Sequence, residues 1–373
     1  MSREPSTPPK YRQILESLTR AISRGDFRPG ARLPSESELV AEHGASRLTV
    51  NRALRELQLA GLIDRRVGSG SYVRQPGTQG LTFGLLIPEL GQTEIFEPIC
   101  RGMASAQVDR HVLIWGQSLS DTQINDKSAE EICEQLITKK VSGVFFAPLE
   151  LTPDKDLINR RIVSLFADAR IPVILLDRDI VAFPLRSGYD LIGIDNRRAG
   201  HTITAHLLAQ GCRSLVFLAR PASAPTVDAR IAGFRDAHIA AGLSYSPNQV
   251  WRVDPTSDTT IKELLDTNTP DGVVCANDLT AAQLMTTLQL VAPDALGRLR
   301  IGGVDDVKYA SLLPVPLTTI QQPCAAIGAA AVAAMVQRLK DPQMPERDIL
   351  LDFRLIVRQS CGSGRPKAGR HAH

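Results

Sequence analysis

Pro172-Val-Ile-Leu-Leu-Asp-Arg178 is the stretch on which the fold turns, because a run of four apolar residues stops abruptly on a carboxylate and a guanidinium. The same pattern returns in Leu191-Ile-Gly-Ile-Asp-Asn196, Val273-Val-Cys-Ala-Asn-Asp278 and Ile301-Gly-Gly-Val-Asp-Asp306. Working outward, further short apolar runs at 82–88, 112–116, 143–147, 215–219 and 250–253 alternate with helical patterns at 126–138, 197–209, 228–241 and 279–289. Strands that are apolar on both faces and alternate with helices predict parallel sheets covered on each side. Residues 82–360 are too many for one such sheet, so an α/β body of two lobes is expected.

In sheets of this kind ligands sit beyond the carboxyl ends of the strands. Four strand ends carry polar pairs there: Asp177-Arg178, Asp195-Asn196, Asn277-Asp278 and Asp305-Asp306. Carboxylates and an arginine converging on one cleft hold hydroxyl groups by charge-assisted bonds, each worth about 1.5–3 kcal/mol net, and so suit a polyol. A carboxylate in that position can instead cap the helix that follows, as Asp195 before Arg197 or Asp278 before Leu279 could.

The amino-terminal part reads differently. Residues 1–75 hold 13 Lys and Arg against 8 Asp and Glu, whereas the remainder carries a net −2, so the basic charge is concentrated at the front. That asymmetry suits a polyanion. Ile14, Leu18 and Ile22 mark one face of a first helix. Ser35-Glu-Ser-Glu38 is a capping box for a second, which stops by Gly44. Ser46 caps a third, with Val50, Leu54 and Leu57 inward and Arg47, Asn51, Arg52 and Arg55 on other faces. Two short extended runs around Gly68-Ser-Gly70 then form a hairpin whose tip, beside Arg65 and Arg66, can approach a phosphate backbone closely. This is a helix-turn-helix with a wing. Gly68-Ser-Gly70 lacks the third glycine and the following helix of a dinucleotide loop.

Phe27-Arg-Pro-Gly30, Leu33-Pro-Ser-Glu36, Ser46-Arg47 with Thr49-Val50, Gly61-Leu-Ile63 and Gly68-Ser-Gly-Ser-Tyr-Val73 resemble the winged helix of the GntR family over almost all of residues 10–74. The resemblance implies that Arg47 reaches a phosphate or guanine edge, Thr49 contacts backbone and the wing glycines, Gly68 and Gly70, lie along the groove. Asn51 stands where many members carry arginine, and an Asn carboxamide can read adenine. In the body, Leu176-Asp-Arg178, Ile194-Asp-Asn196, Arg230-Ile-Ala-Gly-Phe234, Ala276-Asn-Asp278, Gly303-Val-Asp-Asp306 and Leu317-Thr-Thr-Ile-Gln-Gln322 resemble the LacI/GalR effector domain, itself similar to ribose-type periplasmic binding proteins. That second resemblance implies that Asp177, Arg178, Arg230, Asn277, Asp305 and Gln322 hydrogen-bond a sugar, with Asp195 at the cleft and Phe96 on the ring face. Cys324 and Val304 fall where the resemblance implies aromatics, which thins the stacking platform and leaves ring size open, while the otherwise complete polar set favours a monosaccharide such as a pentose over a purine. A winged helix of one family on an effector domain of the other is the arrangement of the arabinose repressor subgroup.

The expected organisation is a winged helix at 1–75, a linker at 76–81, an effector and dimerisation domain at 82–360 and a disordered tail at 361–373. The expected function is a homodimeric repressor on double-stranded operator DNA, controlled by a sugar held between the lobes. The longest run of small and apolar residues, 324–336, is too short to cross a bilayer, and the amino terminus lacks the apolar core of an export signal, so a cytoplasmic, membrane-free protein is expected. Six cysteines without a CxxC pair read as thiols, and His201 and His206 are offset from metal-sharing helical spacing. No metal, cofactor or catalytic residue is expected, since hydrolase, zinc-protease and phosphate-loop motifs are all missing. Two rivals stay open: a sugar-capture protein, and the same regulator with a nucleobase or sugar phosphate, which Arg178 and Arg230 would tolerate.

Overall fold

The computed structural model describes residues 10–28, 30–59, 62–66, 69–73, 80–87, 94–106, 111–115 and 126–363. The chain divides into two units, Met1–Leu81 and Thr82–His373. The first contains helices α1 (Lys10–Arg24), α2 (Glu36–His43) and α3 (Arg47–Leu59) and an antiparallel hairpin of β1 (Ile63–Arg66) and β2 (Gly70–Val73). Its core joins Ile14, Leu18, Val50, Leu54 and Leu57, on the stripes read from the sequence, to Leu39, Ile63 and Val73, with Ile22 partly buried against it. The capping box is formed at both ends: Ser35 N–H donates to Glu38 Oε2 at 2.6 Å and Glu38 N–H to Ser35 Oγ at 3.3 Å. Gly44 ends α2 at φ +54°, in the left-handed region that glycine adopts without steric cost. Ser46 Oγ then accepts the Thr49 N–H at 3.2 Å and starts α3, so the tight turn between the two helices is fixed from both sides.

The second unit is two sheets with helices on both faces. In chain order it contains β3 (Leu81–Leu86), α4 (Phe96–Ala104), β4 (His111–Trp115), α5 (Asp126–Thr138), β5 (Gly143–Phe146), α6 (Lys155–Asp168), β6 (Val173–Leu176), β7 (Asp190–Ile194), α7 (Asn196–Ala209), β8 (Leu215–Ala219), α8 (Pro225–Ala240), β9 (Val250–Arg252), α9 (Asp258–Asn268), β10 (Gly272–Cys275), α10 (Asp278–Val291), α11 (Pro293–Arg298), β11 (Arg300–Asp305), β12 (Thr318–Gln321), α12 (Cys324–Lys340), β13 (Asp348–Leu351) and β14 (Arg354–Ile356). One lobe's sheet has the order β13-β7-β6-β5-β3-β4 and the other's β14-β12-β11-β10-β8-β9. β14 is antiparallel to β12, and the other pairings described in the two sheets are parallel. The chain crosses between lobes after β7, after β12 and between β13 and β14, so the cleft is bounded by three connecting segments.

Each lobe carries one helix pair packed backbone to backbone beside these crossings. A Cβ on Gly102 of α4 would lie 2.1 Å from the Ala325 carbonyl oxygen of α12, and one on Gly328 would lie 2.0 Å from that of Ile99. In the other lobe a Cβ on Gly200 of α7 would lie 2.1 Å from the Arg230 carbonyl oxygen, and one on Gly233 of α8 would lie 2.0 Å from that of Arg197. Only glycine permits such contacts. The fold thus places the amino termini of α7, α8 and α12, and the residues around them, at the mouth of the cleft.

The structure departs from the expected elements in places. α8 starts at Pro225, three residues early, with proline at its first position, where the missing N–H costs nothing. α12 was not legible as a helix because Ile327, Ala331, Val332, Ala334, Met335 and Val336 bury it on several sides, which removes the 3.6-residue alternation. Cys361, expected to head a disordered tail, is instead buried, its thiol 3.2 Å from the Arg358 carbonyl. Residues 364–373 and most of the expected linker lie outside the described residues. No helix among the described residues is long and apolar enough to cross a membrane.

Candidate effector cleft and nucleic-acid face

β6 ends on Asp177, whose φ of +67° turns the chain sharply, and β11 ends on Asp305 and Asp306 at φ +122° and +54°. Non-glycine residues in this region cost on the order of 1–3 kcal/mol each, and such strain gathers at functional sites. Asp177 and Arg178 are both buried. Arg178 forms an ion pair with Glu150, from the loop after β5, and its guanidinium lies 5.4 Å over the Phe96 ring. Phe96 is itself buried, so Arg178 covers the face expected to meet a sugar ring. Glu150 also accepts the Ala224 N–H of the opposite lobe at 3.1 Å, beside a second inter-lobe bond from Leu151 N–H to the Ala222 carbonyl at 2.8 Å. Burial pushes the Glu150 carboxyl up, but Arg178, the Ala224 N–H and Arg230 outweigh it and hold it below the usual carboxylate range.

Arg230 is buried on α8. Its Nε donates to Asn196 Oδ1 at 2.8 Å, one Nη to the Ala276 carbonyl at 2.6 Å, and the other Nη lies 3.9 Å from Asp305. Asp305 accepts from Gln322 Nε2 at 2.8 Å. Burial pushes its carboxyl up to about 6, with Arg230 opposing and Asp177 reinforcing the rise. Behind it Asp278 is fully buried, accepting from Val307 N–H at 3.0 Å and Thr319 Oγ1 at 2.5 Å, and burial with the Asp305 charge raises its pKa well above the ordinary value. Asp278 braces β11 and β12. It does not face a ligand.

Four buried polar atoms around this cleft make no hydrogen bond among the described residues: Asp177 Oδ1, Gln322 Oε1, Glu94 Oε2 and Arg178 Nε, the last lying 3.4 Å from the Asp177 carboxylate as a looser ion pair. Glu94 belongs to the same neighbourhood, since Tyr309 is held above its ordinary pKa by burial and by the charges of Glu94, Asp278 and Asp305. An unpaired buried polar group costs about 1–3 kcal/mol, so four in one place mark a surface built to be completed by hydrogen-bonding groups. Three of the four atoms are acceptors and want donors such as hydroxyls.

The structure therefore brings Phe96, Asp177, Arg178, Arg230, Asp305 and Gln322 together. Two expected ligands are engaged otherwise. Asn277 Oδ1 caps α10, accepting from Thr280 N–H at 2.9 Å and Thr280 Oγ1 at 2.8 Å. Asp195 caps α7 through Arg198 N–H at 2.9 Å, and lines with Asp177, Asn196 and Pro225 a cavity of about 240 Å³. Glu150, Asn196, Glu94 and Tyr309 were not foreseen. Asn196 was visible as half of a strand-end pair, whereas Ala147-Pro-Leu149 separate Glu150 from its strand and hide it.

In the first unit Arg47 is exposed at the start of α3, and Ser46 Oγ lies 2.8 Å from Thr49 Oγ1, so the Ser46 side chain braces the helix start. Arg52, expected either to contact DNA or to lie on a solvated helix face, has its guanidinium 4.0 Å over the Tyr11 ring and 3.6 Å from Glu56, with its side chain 63% exposed. Asn51 and Arg65 are linked to each other and to Glu36. Gly70 takes φ +112° at the base of the wing. Gly68 and the Arg66 side chain lie outside the described residues. Leu48 is 84% exposed in the first turn of α3, an apolar side chain that the periodicity gave no reason to single out.

Residues 10–73 match the bacterial regulatory proteins, gntR family, and residues 204–361 match the periplasmic binding protein-like domain. The chain thus joins a segment that matches the gntR family to a body that matches the periplasmic binding protein-like domain. Over its whole length it is similar to the arabinose metabolism transcriptional repressor of Geobacillus stearothermophilus, 27% identical over 371 residues that cover 95% of this chain and 98% of that protein. The body shares its fold with the transcription regulator CcpA of Lactococcus lactis, at TM-score 0.63 and 18% identity over 76% of this chain and 99% of that one. It also matches a LacI family regulator from Enterococcus faecium with bound ribose, at TM-score 0.57 and 22% identity over 75% of this chain and 98% of that one.

Proposed function

We propose that the protein is a sugar-responsive repressor that binds double-stranded operator DNA as a homodimer in the cytoplasm and releases it when a neutral monosaccharide closes the cleft. The observation that carries this is the set of buried polar atoms on Asp177, Arg178, Gln322 and Glu94 that make no hydrogen bond among the described residues. Hydroxyls donating to the three acceptors and accepting from Arg178 Nε would satisfy all four. A phosphorylated sugar fits poorly, because Arg178 and Arg230 already have their charge balanced by Glu150 and Asp305. The acids Glu150, Asp177 and Asp305 also outnumber the two arginines. Among neutral sugars a pentose is favoured by the small, aromatic-poor wall around Cys324 and by the arabinose repressor that matches the whole chain.

Sugar binding the closed form more tightly than the open one would shift the population of the dimer and change the spacing of its two reading heads. Arg47 would meet phosphate or a guanine edge, and Leu48 a thymine methyl. The test heats the full-length protein with a panel of pentoses, hexoses and their phosphates. A neutral pentose such as arabinose is expected to raise the melting temperature and weaken operator binding, and Arg47→Ala is expected to lose operator binding while keeping the thermal rise. A rise with sugar phosphates alone would overturn the neutral-sugar assignment.

A further inference from the structure

We propose that the effector is a glycoside, whose sugar ring lies in the cleft and whose uncharged, ring-sized apolar substituent fills a side cavity that opens off the cleft beside Asp177. This rests on the sugar reading of the cleft given above. The cavity measures about 240 Å³, and both lobes build it. The segment joining β6 to β7 and the end of β13 supply one wall, and the first turns of α7 and α8 supply the other. Two residues connect the cavity to the cleft. Asp177, whose Oδ1 makes no hydrogen bond among the described residues, lines it directly, and Asn196 lines it while its Oδ1 accepts from Arg230 Nε at 2.8 Å. A sugar hydroxyl donating to Asp177 brings the neighbouring oxygens of its ring to the mouth of the cavity.

The chemistry of the walls selects the substituent. Val181, Phe183, Pro184, Leu185, Leu191 and Leu350 make them apolar, and of these Phe183, Leu185 and Leu350 are left exposed to water. The charged residues around them are already committed. Asp179 accepts the N–H groups of Ile180 at 2.6 Å and Ser187 at 3.1 Å, Arg186 pairs with Asp348 at 2.7 Å, and Arg197 pairs with Asp236 at 2.6 Å. Asp195 is taken by the α7 cap. A phosphate, carboxylate or ammonium group would therefore lose its hydration without gaining a counter-charge. A second sugar would bring hydroxyls to walls that offer them few partners, whereas an alkyl or aryl group gains from leaving water. An apolar cavity of about 150 Å³ already admits benzene. This one, at about 240 Å³, holds a ring-sized group. Because the walls come from both lobes, the substituent makes contacts that exist together only while the lobes are closed, so it favours closure as well as affinity.

The experiment titrates the full-length protein in a calorimeter with arabinose, ribose and xylose, and with the methyl and phenyl glycosides of each in both anomeric forms. For the pentose that binds, the phenyl glycoside of one anomer is expected to bind about 10- to 100-fold more tightly than the free sugar, and the methyl glycoside less than about fivefold, since each buried methylene is worth about fourfold. In Leu185→Asp and in Leu350→Asn, the advantage of the phenyl glycoside over the free pentose is expected to shrink to less than about threefold. Melting curves establish that each variant is folded, and Leu350→Asn carries the test if Leu185→Asp is not. Phenyl glycosides that bind no better than the free pentose in either anomer would overturn the inference and leave the cleft a sugar site. An advantage that survives both substitutions would place the aryl group elsewhere and overturn it equally. Binding of no sugar in any form would overturn the reading of the cleft itself, a result distinct from either.

Discussion

Glu150→Gln removes one charge while keeping the size of the side chain, and it strikes the point where the two lobes meet. Arg178 and Glu150 have side chains only 5% and 16% exposed, so solvent screens the pair little. Breaking a buried ion pair from one side costs about 3–5 kcal/mol, because the remaining charge stays buried. Asp177 lies 3.4 Å from Arg178 Nε and recovers part of this, and the Gln carbonyl can still accept the Ala224 N–H, which places the net loss near 3 kcal/mol. For a unit of this size that corresponds to a fall in melting temperature of roughly 5–10 °C. Effector affinity should fall as well, by about tenfold or more, since Arg178 loses the partner that orients it. Differential scanning calorimetry with isothermal titration reads both quantities on one sample. A melting temperature within about 1 °C of wild type, with unchanged effector affinity, would refute the reasoning, because the charge would then have been compensated without Glu150.

Acidification should weaken effector binding through Asp305. Its pKa is raised to about 6, so above that pH the carboxylate is ionised and accepts ligand hydroxyls, and below it the group protonates and loses that capacity. The sign for stability is opposite: the folded state binds the extra proton, so the free protein gains stability as pH falls from about 6 towards the ordinary carboxylate value, and Asp305→Asn should flatten both trends in titrations from pH 5 to 8. Gly200→Ala inserts a methyl 2.1 Å from the Arg230 carbonyl oxygen, so α7 and α8 must separate. A loss of about 1–3 kcal/mol in stability and a weaker effector response are expected, and an unchanged melting curve would count against the backbone contact.

How far the site could be read in advance depended on where each residue sits relative to its strand. Asp177-Arg178 and Asp305-Asp306 were visible because they follow directly on apolar runs, so the strand end itself announces them. The same position left Asn277 readable as a ligand or as a helix cap, since both roles suit a polar residue immediately after a strand, and its Oδ1 makes the cap. Glu150 was hidden by three intervening residues, and its importance arises from an ion pair with a residue 28 positions away. The Glu36–Asn51–Arg65 triad was invisible for a related reason: each member reads locally as a surface polar residue, and only the packing of three elements brings them together. Fold class was easier, because parallel strands buried on both faces leave short apolar runs bounded by polar residues, and length separates them from a buried helix such as α12 with its 17 residues.

The backbone-to-backbone seams in the two lobes carry a mechanical consequence. Where two helices touch through glycine, no side chain lies between them to tilt or repack, so displacement at one end cannot be absorbed along the way. α12 begins two residues after Gln322 and runs for 17 residues, about 25 Å at the helical rise. A shift of its first turn is delivered almost undiminished to its far end at Lys340, and the helix behaves as a push-rod that carries news of the cleft to the opposite side of its lobe.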